Sequence, residues 1–354
     1  MIINQLLPAL HKGDAIGDEA FYLKDFFKSN GYQSEIYAID IDSEILYLGK
    51  SVKSFPDPSE RDTTILHYAI PSPLNELIKR VKGKKVIIYH NVTPEEFFVD
   101  FSKEMVNIAI EGKKQLKSLM NYIDLVFADS FYNKIELENV GFKNVQLLPL
   151  FINWEKYELK PDENIIELFS DEFANILFVG RVVPNKKIED LMKVVAYYKK
   201  FISPLARLFV VGKIHSCREY YYSLLNLMGK LELTRDNLIF FDHVPDNELF
   251  ALYQISDVFL SMSEHEGFCL PLIESMIFDL PVISYDSTAI PYTLNGAGIL
   301  FNQKNTQVVA ELCNLAIENM ELREKILKTE RERLNEFKKL NIGEIILNKF
   351  REIL

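Results

Sequence analysis

Cysteine is scarce in this 354-residue sequence. Cys217, Cys269 and Cys313 are odd in number, far apart and without a CxxC pair. That excludes a disulfide frame and a cysteine-built zinc site, offers no obvious thiol nucleophile, and fits a reducing compartment. Positive charge is also in deficit: 40 Lys and Arg against 51 Asp and Glu leave a formal net charge of -11. A nucleic-acid partner held by a basic surface is therefore not expected. No window approaches the roughly 18 uninterrupted apolar residues of a membrane span. The opening MIINQLLPALHKG has no basic leader and no small-residue cleavage site, so it reads as a first strand entering a loop. The expected location is cytoplasmic. GxGxxG, Walker and HExxH patterns are missing too, which disfavours dinucleotide, P-loop and zinc-protease chemistry, and no metal site is expected.

What is present is an alternation of strands and helices. In the first half IINQLL, EIYAI, TILHYAI, KKVIIYH, DLVFADS and NVQLLPL are short β-like runs, with a helix over Glu19–Phe27 after the first. The second half repeats the plan with ANILFVG, ARLFVVG, NLIFFDHV, DVFLSMS, LPVISY and GAGILF. Strands apolar on both faces, separated by amphipathic stretches, predict parallel sheets covered by helices. Ile188, Leu191, Met192 and Val195 recur at helical spacing between two of them. Two doubly wound α/β domains follow: residues 1–152, a charged linker over 153–172, and residues 173–340. A final helix over about 341–354 is apolar enough to pack back on the first domain.

The stretch SEHEGFCLPLIESM places Glu266 and Glu274 eight residues apart around a helix start, with Pro271 in its first turn. It follows the strand DVFLSMS, and ligands of open α/β sheets bind at the carboxyl ends of strands. The free N–H groups of a helix start favour an anion, and Gly267 permits close backbone approach. Flanking carboxylates repel phosphate but accept hydrogen bonds from hydroxyls. A nucleoside diphosphate sugar, with hydroxyls at both ends and an anionic middle, has the matching shape. Glutamates beside a helix start also serve the helix dipole alone, and that reading stays open here. After the first strand of the second half, FVGRVVPNKKIEDLM sets Arg181 and Lys186 on a comparable turn. Two such cations can clamp a diphosphate or can form a solvated basic loop.

Together GR…PNK, SEHEGF and the E-x7-E spacing of Glu266 and Glu274 resemble the retaining glycosyltransferases of family 4. The resemblance covers about residues 175–320; KGDAIGDEAF, YHNVTPEEFF and FADSFYN resemble first-domain segments more loosely. It implies the GT-B fold, two Rossmann-like domains facing across a cleft. It also implies roles for individual residues. Glu266 would bind donor-sugar hydroxyls beside the reacting carbon, and Glu274 the ribose hydroxyls. Arg181 and Lys186 would neutralise the leaving diphosphate. Backbone N–H groups of Gly267, Phe268, Cys269 and Leu270 would contact sugar and phosphate. The loop at His243 and Val244 would receive the base. Gly13 and Gly17 would let the first domain approach the phosphates, and His90 would face the sugar. Lys187 stands where the family often has glycine, and Tyr292 where many members have glutamate.

The function so implied is transfer of a hexose from a nucleoside diphosphate sugar to a hydroxyl of a glycan or lipid-linked glycan, with retention and without a metal or other cofactor. Surface polysaccharide or glycoconjugate synthesis is the implied setting. Two alternatives stand beside it: a catalytically silent glycosyltransferase-like binding subunit, and a nucleotide-sugar epimerase on the same fold. The run KRVKGKK at Lys79–Lys85 is either a solvated face or a peripheral contact with the inner face of a membrane.

Overall fold

The computed structural model describes residues 1–11 and 13–353. The chain forms two compact units: one comprises Met1–Glu96, Lys103–Asn153 and the stretch from Leu340, the other Phe97–Ser102 with Trp154–Lys339. Along the first unit run β1 (Ile3–Leu10), α1 (Ala15–Ser29), β2 (Ile36–Ile41), β3 (Lys50–Ser51), β4 (Thr63–Tyr68), α2 (Leu74–Arg80), β5 (Lys84–Tyr89), α3 (Lys103–Leu119), β6 (Leu125–Ala128), α4 (Phe131–Val140) and β7 (Gln146–Leu147). The second unit continues with α5 (Glu163–Phe169), β8 (Ala174–Val179), α6 (Ile188–Phe201), β9 (Ala206–Val211), α7 (Arg218–Lys230), β10 (Leu238–Phe241), α8 (Asp246–Gln254) and β11 (Val258–Ser261). It closes with α9 (Leu270–Ile277), β12 (Val282–Tyr285), α10 (Ile290–Leu294), β13 (Ile299–Phe301), α11 (Thr306–Glu318) and α12 (Met320–Lys338), before α13 (Ile342–Ile353) returns to the first unit.

The first sheet has the order β3-β2-β1-β4-β5-β6-β7 and the second β10-β9-β8-β11-β12-β13. All named strand pairs are parallel. Each order reverses direction once, between β1 and β4 in one unit and between β8 and β11 in the other. Such a reversal parts the loops at the strand ends and is where open α/β sheets bind ligands. The short edge strand β3 was not legible in the sequence, because two exposed residues carry no alternation.

Strand alternation divides the first unit's core cleanly between two faces. Leu66, Tyr68, Ile87, Tyr89, Val126 and Ala128 pack with Leu74 and Ile78 of α2, Leu116 of α3 and Leu137 of α4. Their neighbours Ile65, Val86, Ile88, Leu125 and Phe127 pack on the other face with Leu23 and Phe27 of α1. That second face is completed by Ile342, Ile346, Leu347 and Phe350, the apolar stripe of α13. Helix α13 lies close to α1 because position 343 is glycine: a Cβ there would meet the Phe26 ring at 2.5 Å.

The stretch 153–172, expected as a linker, is folded and belongs to the second unit. Residues Trp154–Glu158 form a short 3-10 turn. Asp162 caps α5 by accepting the N–H groups of Asn164 and Ile165. The guanidinium of Arg207 on β9 then pairs with Asp171 at 2.6 Å and lies 4.2 Å from the Phe173 ring centre. One charge of this stretch, Asp171, thus neutralises a buried arginine. Among the described residues, no helix is long and apolar enough to cross a membrane.

Two stability outcomes follow from this packing. Phe350 is fully buried and stacks on Phe27 with ring centres 5.9 Å apart. Phe350→Ala is expected to lower the unfolding free energy by about 3–5 kcal/mol. An unmoved urea midpoint would show that α13 is not part of the core. Glu330 on α12 is 1% exposed and accepts the Val282 N–H at 2.8 Å, while its other oxygen has no hydrogen bond. Burial raises its pKa from the usual 4.5 to about 8. Between those values the folded protein holds a proton that the unfolded chain has released, so stability falls as pH climbs through this window, by up to a few kcal/mol. Glu330→Gln, neutral throughout, should flatten that decline. Melts from pH 5 to pH 8 with the same slope in both proteins would refute the assignment.

Candidate active site

Two turns meet at the switch point of the second sheet. After β8, residues Pro184–Lys186 form a 3-10 turn and Lys187, at φ +53°, precedes α6. After β11, residues 262–269 lead into α9, with Cys269 at φ +69° as its N-cap. Asn185 joins them. Its side-chain amide donates to the carbonyl of His265 at 3.0 Å, and its own carbonyl accepts the Glu264 N–H at 2.8 Å. Held this way, Lys186 Nζ donates to Glu266 Oε1 at 2.5 Å. The turn after β9 packs equally closely: a Cβ at Gly212 would lie 2.4 Å from the carbonyl oxygen of Gly180.

The loop after β12 braces the other side of Glu266. Thr288 Oγ1 accepts the Glu266 N–H at 2.8 Å and donates to the Glu266 carbonyl at 3.0 Å. Ser287 donates to the Ser263 carbonyl at 2.6 Å, and Thr293 to the Phe268 carbonyl at 2.5 Å. Three non-glycine residues with left-handed backbone, Lys187, Cys269 and Thr288, thus surround one carboxylate. The glycine expected at position 187 fits this conformation, and the lysine present pairs with Glu264 at 3.3 Å. Lys304 takes the other Glu264 oxygen at 2.8 Å and also Asp190 at 3.1 Å. Burial pushes the Cys269 thiol well above its ordinary pKa, with the Glu266 charge adding to the rise, so it is no nucleophile.

The remaining second-half candidates fall around this centre. Arg181 is exposed at the end of β8 and its side chain has no hydrogen-bond or ion-pair partner among the described residues. Gly267 and Leu270 are half-buried, and Phe268 is buried with its ring edge-on to Phe337. Glu274 is buried inside α9, accepting from Tyr157 at 3.1 Å and from Tyr253 at 2.9 Å. Burial raises its carboxyl above the ordinary range, against the Lys156 charge and the two hydroxyls. His243 is exposed and Val244 half-buried in the loop after β10. His243 lines a recess of about 380 Å³ with Lys213, His215, Ser216 and Asp242, at the ends of β9 and β10.

The first-unit candidates behave differently. Gly13, at φ +74°, precedes α1, and Gly17 lies in its first turn, where a Cβ would come 3.2 Å from the His11 carbonyl. His90, expected to face a sugar, has a side chain only 3% exposed and stacks parallel to His67 with ring centres 5.3 Å apart. Its Nε2 lies 3.0 Å from His67 Nδ1 and its Nδ1 3.6 Å from Asp129 Oδ2, so both nitrogens face protein groups. The reason is local: β4 and β5 pair in register from Thr63↔Lys84 to Tyr68↔Tyr89, which brings the two histidines together. Burial works to lower the His90 pKa, but the Asp129 contact and the Glu19 charge outweigh it and raise it. His67 is pushed well below its ordinary value by burial, and Glu19 is raised by burial to about 7. Asp129 does not cap α4; Ser130 does, accepting the Asn133 N–H at 3.1 Å. In the basic run, Lys79 pairs with Glu76 at 2.6 Å, Lys82 with Asp57 at 3.6 Å and Lys84 with Asp124 at 3.7 Å.

Sequence reasoning missed Asn185, Thr288, Tyr157 and Tyr253, which hold the two glutamates. Asn185 sits inside the PNK turn already singled out, and an asparagine flanked by proline was its one visible signal. The tyrosines carry none, since aromatic residues are abundant throughout.

Comparisons with known proteins agree with this geometry. Residues 160–333 match the family model of glycosyl transferases group 1. The serotype-specific mannosyltransferase WbdA of Escherichia coli is 27% identical over 147 residues, 42% of this chain and 18% of WbdA. The alpha-galactosylglucosyldiacylglycerol synthase of Streptococcus pneumoniae is 23% identical over 259 residues, 68% of this chain and 64% of that protein. The chain therefore spans less than two thirds of either relative. The crystal structure of Anabaena HepE in complex with UDP-glucose superposes with a TM-score of 0.74 at 14% identity, covering 99% of this chain and 100% of that one. At such identity the likeness shows the fold, two parallel-sheet α/β units of the GT-B class. Residues 160–333, nearly all of the second unit, are a group 1 glycosyltransferase domain.

Proposed function

We propose that the protein is a retaining glycosyltransferase that moves a hexose from a nucleoside diphosphate sugar to a hydroxyl of a glycan or lipid-linked glycan. The observation that carries this reading is the Lys186–Glu266 contact at the β8/β11 switch point, beside the N-terminus of α9. A cation, a carboxylate and a helix start lie together where an open α/β sheet takes its ligand. The relatives support the same direction: one is named for mannosyl transfer and one for synthesis of a glycosylated diacylglycerol. Surface polysaccharide or glycolipid assembly is the setting this favours.

Catalysis in this reading rests on charge. Arg181, unpartnered at the strand end, and Lys186 take the phosphate oxygens as the sugar–phosphate bond breaks. Lys186 leaves its resting contact with Glu266 in doing so, and Glu266 turns to the sugar hydroxyls. The attacking hydroxyl approaches from the leaving-group side and passes its proton to the departing phosphate oxygen, which retains the anomeric configuration. Glu274, fixed by two tyrosine hydroxyls, keeps acceptor capacity for ribose hydroxyls. The recess at His243 takes the base. Two cations and a helix N-terminus supply the positive charge for the diphosphate, so the donor chemistry needs no metal.

Calorimetric titration with UDP, GDP, ADP and CDP in chelator-treated buffer should give binding to at least one. Silence with all four would favour a non-catalytic binding subunit. Glu274→Gln keeps the tyrosine partners but exchanges charge-assisted bonds for neutral ones. Affinity for the bound diphosphate should fall about tenfold, roughly 1–2 kcal/mol; unchanged affinity would remove Glu274 from the ribose. Arg181→Ala, at an exposed position, should leave stability within about 0.5 kcal/mol and cut kcat about 10²–10³-fold. Near-normal turnover in that variant would overturn its role.

A further inference from the structure

Glu19 of α1, His67 of β4 and His90 after β5 offer three ligand atoms that all lie within 4.8 Å of one another. A hydrogen bond behind His67 fixes which way its lone pair points. Gln5 Nε2 donates to the Ala20 carbonyl at 2.9 Å, so Gln5 Oε1 is the acceptor 2.9 Å from His67 Nε2. The proton of a neutral His67 therefore sits on Nε2, and Nδ1 presents its lone pair inward. On the far side of His90, Nδ1 faces the carboxylate of Asp129, whose other oxygen is held by the Asn133 amide. That contact is 3.6 Å and His90 Nδ1 makes no hydrogen bond, so Nδ1 can take a proton facing the carboxylate, which leaves Nε2 with its lone pair toward the same centre. Glu19 Oε1 accepts the Phe151 N–H at 3.3 Å, whereas Glu19 Oε2 is buried with no hydrogen bond.

His67 Nδ1, His90 Nε2 and Glu19 Oε2 are separated by 3.0, 3.7 and 3.8 Å. With the protons so placed, three lone pairs converge in a space largely closed to water and repel one another unless something positive lies among them. A single proton between the two nitrogens relieves only those two and leaves Glu19 Oε2 without a partner. A metal ion relieves all three, because a point about 2 Å from each atom exists, the length of a zinc–nitrogen or zinc–oxygen bond. We propose that Glu19, His67 and His90 form a binding site for a divalent transition-metal cation of the zinc class. Imidazole and carboxylate ligands suit such an ion. The outer partners fit as well: His67 turns its second nitrogen to Gln5 Oε1 at 2.9 Å, as metal-bound histidines ordinarily do, and His90 turns its own toward Asp129 at 3.6 Å. The ion would tie α1 to β4 and β5 at the first sheet's switch point.

The test uses untagged full-length protein stripped with chelator, dialysed against zinc and analysed for metal. One zinc per chain is expected, with a rise in Tm that excess chelator reverses. Cobalt(II) in its place should give visible d–d absorption of nitrogen–oxygen ligation. Glu19→Gln and His67→Asn should each weaken zinc binding at least 100-fold. Gln5→Ala, which keeps all three ligands, should weaken it about 10–100-fold. His11→Ala should leave it unchanged. If the ligand variants do not fold, the wild-type metal content, cobalt spectrum and Tm decide alone. Wild-type protein that retains no zinc above a buffer blank, with a Tm indifferent to zinc and chelator, overturns the proposal in favour of a shared proton. Zinc bound equally tightly by a folded Glu19→Gln variant overturns it too.

Discussion

The contact between Lys186 and Glu266 organises the second unit's ligand edge. Both side chains are largely removed from water, 15% and 8% exposed, so neither charge is well hydrated. An ion pair in that position gains little net stability, because desolvation offsets the attraction, yet losing one partner leaves the other uncompensated. Its value lies in register. Asn185 locks the β8 turn to the β11 loop through two hydrogen bonds, and Thr288 holds the Glu266 backbone from the β12 side. Three strand ends are thereby joined around one carboxylate.

That arrangement carries a conformational cost. Lys187, Cys269 and Thr288 all adopt left-handed backbone, where a side chain is disfavoured. Glycine would relieve each of them. The strain persists because the surrounding hydrogen bonds determine the backbone more strongly than these residues' own preferences do. Residues kept in such conformations gather where geometry matters more than stability. Lys187 adds a charge as well. Together with Lys304 it holds Glu264, so the Glu264 carboxylate is neutralised beside Glu266 instead of adding to the negative charge there.

Much of this was legible in the sequence, for identifiable reasons. The parallel sheets could be read because strands buried on both faces become continuous apolar runs, as ARLFVV and KKVIIY show. The E-x7-E spacing and the GR…PNK turn could be read because each spans one strand-end turn, the former running on into the first turns of α9, so spacing in sequence reports spacing in space. Edge strand β3 has too few residues to show a period. The 153–172 stretch looked like a linker because its charges are numerous, and only the fold shows that Asp171 faces Arg207. The resemblance implied that His90 faces a sugar; the register that pairs β4 with β5 sets it beside His67, a contact the sequence did not show. The Glu19–His67–His90 group was invisible, since its members come from three elements and share no motif. One trace was there: Gln5 and His67 are polar residues inside INQLL and TTILHY, strands otherwise apolar and buried.

The two units answer one topological constraint with different chemistry. In each, the reversal of strand order parts the loops and leaves polar groups at the carboxyl ends of the strands. In the second unit these groups are an ion pair and an exposed arginine, Lys186–Glu266 with Arg181. In the first unit they are withdrawn from solvent: Gln5, Glu19, His67 and Asp129 are buried and the His90 side chain is 3% exposed. A closely packed polar cluster holds its geometry, whereas an exposed arginine is free to take a new partner. The same switch point therefore carries an exposed cation beside an ion pair in one unit and a buried polar cluster in the other, and the surrounding side chains, more than strand order, separate the two.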